Sequence, residues 1–126
     1  LSPARMQLGT TSSGFLVIND AYNANPVSTK AALEALASLN ESGRKVAVLG
    51  LMAELGNDAR ELHEEIAAYA HSLELDLLTV GTDLYGQKPE DDIDESLTGL
   101  TPGDAVLIKG SLVAGLQSLA QRLLEK

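Results

Sequence analysis

The sequence predicts a three-layer α/β domain, a mostly parallel sheet with helices on both faces. Three observations carry this. Short apolar runs rich in strand formers alternate with longer segments whose apolar residues step at helical spacing. The short runs are continuously apolar instead of alternating with polar residues, which suits strands covered on both sides. At 126 residues and 44% hydrophobic content, the chain has the size of one domain and enough apolar surface for a core.

The elements follow in order. Phe15-Leu16-Val17-Ile18 reads as the first strand and runs into Asn19-Asp20. Pro26 suits a first helical turn and Ser28 a cap. Ala32, Leu33, Leu36 and Leu39 continue that helix to a stop at Ser42-Gly43. Lys45 to Leu49 is a second strand, closed by Gly50. Asp58 is placed to cap an amphipathic helix carrying Leu62, Ile66, Tyr69, Ala70 and Leu73. Leu75 to Val80 is a third strand, ended by Gly81. Pro102-Gly103 turns the chain into a fourth strand, Ala105 to Ile108, and Leu112, Leu116, Leu119 and Leu123 mark a terminal helix. The run Glu90 to Glu95 is the most polar part and reads as a solvated, partly mobile connection. Right-handed crossovers between such strands make the domain Rossmann-like. No internal repeat is present.

Composition narrows function. Nine Lys and Arg against 18 Asp and Glu give a net charge of −9, which argues against binding nucleic acid or anionic membranes. Without cysteine there are no disulfides, thiolate metal sites or thiol nucleophiles, and two histidines leave little for a metal. Aromatics make up 3%, too few for a base-stacking platform. No run approaches the roughly 20 apolar residues of a membrane span, and no leader peptide is recognisable. A cytoplasmic setting fits the missing cysteines. Opening on Leu1 is what a domain excised from a longer protein shows.

In open parallel sheets, ligands bind beyond the carboxyl ends of the strands. After the first strand, Asp20 suits ribose hydroxyls, Tyr22 a base face, and Asn23 and Asn25 a base edge. The same asparagines also suit an ordinary helix-capping turn, and both readings stay open. Lys109-Gly110-Ser111 after the fourth strand suits an anion at a helix start, or a plain lysine beside a Gly-Ser turn. His63 lies at the margin of an apolar face, a common place for a packing histidine. No G-x-x-x-x-G-K-S/T loop occurs, and Gly9 to Gly14 holds no lysine, so these residues alone would not complete an ATP-dependent reaction.

The stretch Asn19-Asp20-Ala21-Tyr22-Asn23-Ala24-Asn25-Pro26 resembles the D/N-D-x-Y-N-A-N-P motif of Mur ligases that add D-alanyl-D-alanine to the peptidoglycan precursor. Arg5-Met6-Gln7, Val48-Leu49-Gly50 with Met52, Glu54-Leu55-Gly56 and His63, and Pro102-Gly103-Asp104 through Lys109-Gly110-Ser111 keep the family order. The resemblance covers nearly the whole chain apart from about Thr82 to Leu100. It implies the C-terminal, Rossmann-like domain of a three-domain enzyme, residues 14–126, preceded by an interdomain link, residues 1–13. The partner domains implied are an N-terminal domain holding the UDP-sugar and a central domain holding ATP and magnesium.

By the same resemblance, Asp20, Tyr22, Asn23 and Asn25 face ATP. Lys109, Ser111, Met52 and Glu54, with His63 touching or positioning the loop, line the site for D-alanyl-D-alanine. The implied reaction phosphorylates UDP-N-acetylmuramoyl-tripeptide and then forms an amide; the domain alone would be inactive. Leu51 and Leu112 stand where the family commonly has an acid and an arginine, and the segment from Thr82 to Leu100 is short. Two other readings are a receiver-like regulatory module and a nucleotide-binding scaffold without ligase activity. The first lacks an aspartate at the end of its middle strand, where Gly81-Thr82 stands.

Overall fold

In the computed structural model, which describes residues 6–21, 24–111 and 115–125, the apolar runs pair into one five-stranded sheet. Its strands are β1 (Gln7–Thr10), β2 (Leu16–Asp20), β3 (Lys45–Leu49), β4 (Asp76–Thr79) and β5 (Ala105–Lys109), in the order β1-β2-β5-β3-β4. The last four are mutually parallel, and β1 runs antiparallel to β2 at the edge. Because side chains alternate across a strand, successive residues feed different cores. Ile18, Ala47, Leu49 and Leu107 pack under α1 (Pro26–Ser38) and α2 (Ala59–Ser72). Val17, Val46, Val48, Val106 and Ile108 pack under α4 (Gln117–Leu124), together with Leu97 and Leu100 beside the short α3 (Ile93–Ser96). This is the Rossmann-like three-layer arrangement expected.

Local chemistry moves several boundaries. Strand β1 was not expected. Its four residues are mostly exposed, so they lack an apolar run, and pairing with β2 alone defines them. Helix α1 is capped by Asn25 and not by Ser28. The Asn25 side chain accepts from the Ser28 N–H at 2.8 Å, and Ser28 Oγ accepts from the Asn25 N–H at 3.2 Å. Pro26 occupies the first helical position, which leaves the residue before it as the cap.

The helix leaves helical geometry at Leu39, short of Ser42-Gly43. There Lys45 reaches over from β3 and donates to the carbonyls of Ala37 and Leu39, both at 2.7 Å. Asp58 stands at the N-cap of α2, after a 3-10 turn over Gly56–Asp58, but its side chain makes no capping bond. The helix after β5 starts at Gln117, later than expected at Ser111; Leu112 lies outside the described residues.

The Glu90–Glu95 connection is ordered. Glu90 N–H donates to Thr79 O at 2.7 Å, Ser96 Oγ donates to Glu90 at 2.7 Å, and Asp92 caps α3. Arg122 of α4 grips Asp94 with two bonds of 2.8 and 2.9 Å.

At the amino ends of β3 and β5 a carboxylate closes the sheet. Asp104, 7% exposed, accepts from the Arg44 N–H at 2.7 Å and from the Thr101 N–H at 2.9 Å. Gly43 lies against it: a Cβ there would sit 2.2 Å from the Asp104 carboxylate and 2.6 Å from Gly103 O, so only glycine fits. The Thr101 amide, seconded by that of Arg44, holds the Asp104 carboxyl below its ordinary range against the opposing effect of burial.

A depressed folded value means that this stabilisation is present above the unfolded carboxyl range. It is lost as pH falls through the folded value. Asp104→Asn is expected to be less stable than the native chain at pH 7. The gap should narrow as pH drops below about 4. Urea melts at both pH values check this; a gap that stays constant on acidification would show that the carboxylate charge is irrelevant.

Candidate active-site edge

The chain leaves β2 toward α1 on one face and leaves β5 toward α4 on the other, so the topological switch point, where open parallel sheets take ligands, lies between their carboxyl ends. Register sets what meets there. Asp20 of β2 stands beside Lys109 of β5, which stands beside Leu49 of β3, beside Thr79 of β4. Lys109 Nζ donates to Asp20 Oδ2 at 2.7 Å, with the two side chains 1% and 4% exposed. Two charges withdrawn from water hold together because each is the other's counterion; losing one would strand the other. Asp20 Oδ1, Ser111 Oγ and Thr79 Oγ1 are buried without a hydrogen-bond partner among the described residues.

Asp20 and Lys109 were assigned to different ligands from sequence, one to ATP and one to the dipeptide. The fold makes them a single unit. Asn25 is exposed, and its Oδ1 is spent on the helix cap. Tyr22, Asn23 and Arg5 lie outside the described residues.

The loop after β3 is held through its backbone from Gly50 to Met52. Gly50 N–H donates to Lys109 O at 2.9 Å, Ser111 N–H donates to Leu51 O at 3.1 Å, and Met52 N–H donates to His63 Nε2 at 3.0 Å. Met52 is 1% exposed, and its sulfur accepts from Thr29 Oγ1 at 3.6 Å, so it anchors the loop in the core and reaches no open surface. His63 is fully buried, with Nδ1 lying 2.6 Å from Ala59 O. A carbonyl only accepts and an amide only donates, so these two partners assign the proton to Nδ1 and leave Nε2 as acceptor. His63 therefore positions the loop. Glu54 is exposed at φ +62°, a region costly for a residue with a side chain, so the strain of this loop sits on its rim.

Sequence reasoning missed Tyr85. It is 4% exposed, its hydroxyl donates to Gly50 O at 2.7 Å, and its ring meets His63 edge-on at 4.8 Å. The available signal was an aromatic residue in an otherwise polar segment. Among the described residues no three carboxylate or imidazole groups converge as metal ligands.

Comparison with known proteins gives this edge a setting. The profile of the Mur ligase glutamate ligase domain matches residues 4–112. The chain belongs to the Mur ligase family. The UDP-N-acetylmuramoyl-tripeptide–D-alanyl-D-alanine ligases of Mycobacterium tuberculosis and Mycobacterium leprae are 37% and 35% identical to it, each over 98% of this chain. It spans 31% and 30% of their lengths. The MurF ligase of Thermotoga maritima, solved in complex with ADP, superposes with a TM-score of 0.81 at 29% identity, over 98% of this chain and 31% of that one. Family membership displaces the receiver-like reading.

For this Mur ligase domain, the buried pair predicts strong coupling. Lys109→Met or Asp20→Asn alone is expected to cost about 3–5 kcal/mol, because each strands a buried polar partner. The double variant should cost clearly less than the sum of the two, as measured by denaturant melts. Additive costs would show that the two side chains do not act as a pair.

Proposed function

We propose that this chain is the C-terminal domain of an ATP-dependent ligase that joins D-alanyl-D-alanine to UDP-N-acetylmuramoyl-tripeptide in the cytoplasm. The observation that carries the reading is 37% identity across 98% of the chain to a ligase of that name. The Thermotoga maritima relative, solved in complex with ADP, supports a nucleotide-dependent reaction. The chain spans about a third of such relatives and contains no phosphate-binding G-x-x-x-x-G-K-S/T loop. The family resemblance implies that a central domain holds ATP and magnesium and an N-terminal one the UDP-sugar. This domain closes over them.

The chemistry needs an activated acid, since a carboxylate resists attack by an amine. A carboxylate oxygen of the tripeptide attacks the terminal phosphorus of ATP, the bond to ADP breaks, and an acyl phosphate forms. The amine nitrogen of D-alanyl-D-alanine then attacks the acyl carbon, the carbon–oxygen bond to phosphate breaks, and the nitrogen gives up a proton. Amide, ADP and phosphate result.

In this reading the chain contributes a ligand-binding crevice at the carboxyl ends of β2 and β5, where parallel sheets take ligands. Asp20 Oδ1, without a partner among the described residues, suits a hydroxyl donor such as ribose. Lys109, bonded to its Oδ2 at 2.7 Å, holds that carboxylate in place as its counterion. Ser111, hydrogen-bonded to Leu51, joins the lysine side of the crevice to the rim that carries Glu54. Exclusion of water from the acyl phosphate by domain closure protects it from hydrolysis.

The isolated chain is expected to show no ATP turnover, and the full-length protein to form the amide. Full-length protein that binds the tripeptide precursor but forms no amide would favour a nucleotide-binding scaffold. Because Asp20 and Lys109 are one pair, Asp20→Asn and Lys109→Met in the full-length enzyme should each weaken use of both ATP and the dipeptide. Steady-state kinetics checks this; an effect confined to one substrate per variant would mean that the pair separates in the closed enzyme.

A further inference from the structure

We infer that Tyr85 is a positioning residue for the acceptor side of this reaction, setting the rim that receives the dipeptide through the Gly50 carbonyl and the His63 ring. The inference rests on the ligase reading for what the rim receives. It rests on geometry alone for what Tyr85 holds.

From Gly50 to Met52 the β3 loop is held from two directions. Strand β5 and its continuation supply Lys109 O and the Ser111 N–H. The other supports are side chains: the Tyr85 hydroxyl on Gly50 O and His63 Nε2 on the Met52 amide. These two side chains touch each other, the tyrosine edge-on to the imidazole at 4.8 Å with planes 74° apart. Tyr85 therefore acts twice on one short segment. It bonds the carbonyl at its start, and it packs against the ring that accepts from the amide at its end. Its phenol is pushed well above its ordinary range by burial and remains an O–H donor throughout the working range.

The consequence lies on the rim. Leu51, half-buried, lies within the held segment, and Glu54, exposed in a left-handed conformation, follows two residues beyond it. A residue with a side chain keeps such a conformation only where its surroundings over-determine it. Tyr85 also comes from the segment between β4 and β5, so this connection sets the shape of the neighbouring β3 loop. Length and sequence changes in that segment thereby become a route to altered acceptor preference.

The test uses the full-length enzyme. Tyr85→Phe keeps the ring against His63 and removes only the hydroxyl bond. The dipeptide KM is expected to rise about three- to tenfold, the size of one net hydrogen bond, with the ATP KM and kcat unchanged within about twofold. Hydrogen exchange at the Gly50 and Met52 amides, both hydrogen-bonded, should quicken.

Tyr69→Phe serves as the control, because it removes a hydroxyl bond to Glu34 between α1 and α2, away from the rim. It should leave both KM values and those amides as they are. A dipeptide KM unchanged in Tyr85→Phe, or raised equally with that for ATP, would overturn the inference, as would an equal response to Tyr69→Phe. If the native full-length protein forms no amide, the ligase reading fails by itself. Exchange at Gly50 and Met52 then still decides whether Tyr85 holds the loop, with unchanged rates overturning it.

Discussion

The Asp20–Lys109 ion pair is the interaction on which the rest of the carboxyl edge depends. It joins the ends of β2 and β5 where the chain diverges to opposite faces of the sheet. Neither charge is tolerable there alone, since each would face the desolvation cost without its counterion. Ionic complementarity thus fixes both side chains, while Asp20 keeps one oxygen without a partner among the described residues.

From this pair the order spreads sideways through backbone hydrogen bonds. Lys109 O takes the Gly50 amide and Ser111 takes Leu51 O, so the β3 loop begins as an extension of the sheet. His63, Met52 and Tyr85 then hold it from the side of α2 and the following connection. Residues that look like ligand contacts when listed along the chain thus divide by depth. Met52 and His63 hold the loop from within, and Glu54 faces out. The amino edge is organised differently: Asp104 spends its carboxylate on backbone amides, and a turn glycine makes room for it. One end of the sheet is closed for stability and the other is left with polar atoms still to satisfy.

The sequence by itself determined the layer architecture. Continuous apolar runs such as Val46 to Leu49 and Ala105 to Ile108 can be buried only between two helical layers, and the Tyr-Asn-Ala-Asn-Pro and Lys-Gly-Ser motifs led to the family. Local pattern misplaced what depends on partners far along the chain. Strand β1 exists through pairing, α1 ends where Lys45 meets its carbonyls, and Glu90–Glu95 is ordered by Thr79, Ser96 and Arg122. The pairing of Asp20 with Lys109 was equally out of reach, because 89 residues separate them and only the parallel register makes them neighbours. The same holds for Tyr85, whose partner carbonyl on Gly50 carries no side-chain signature. Residue type decided which chemistry was present, and sheet register decided which groups could act together.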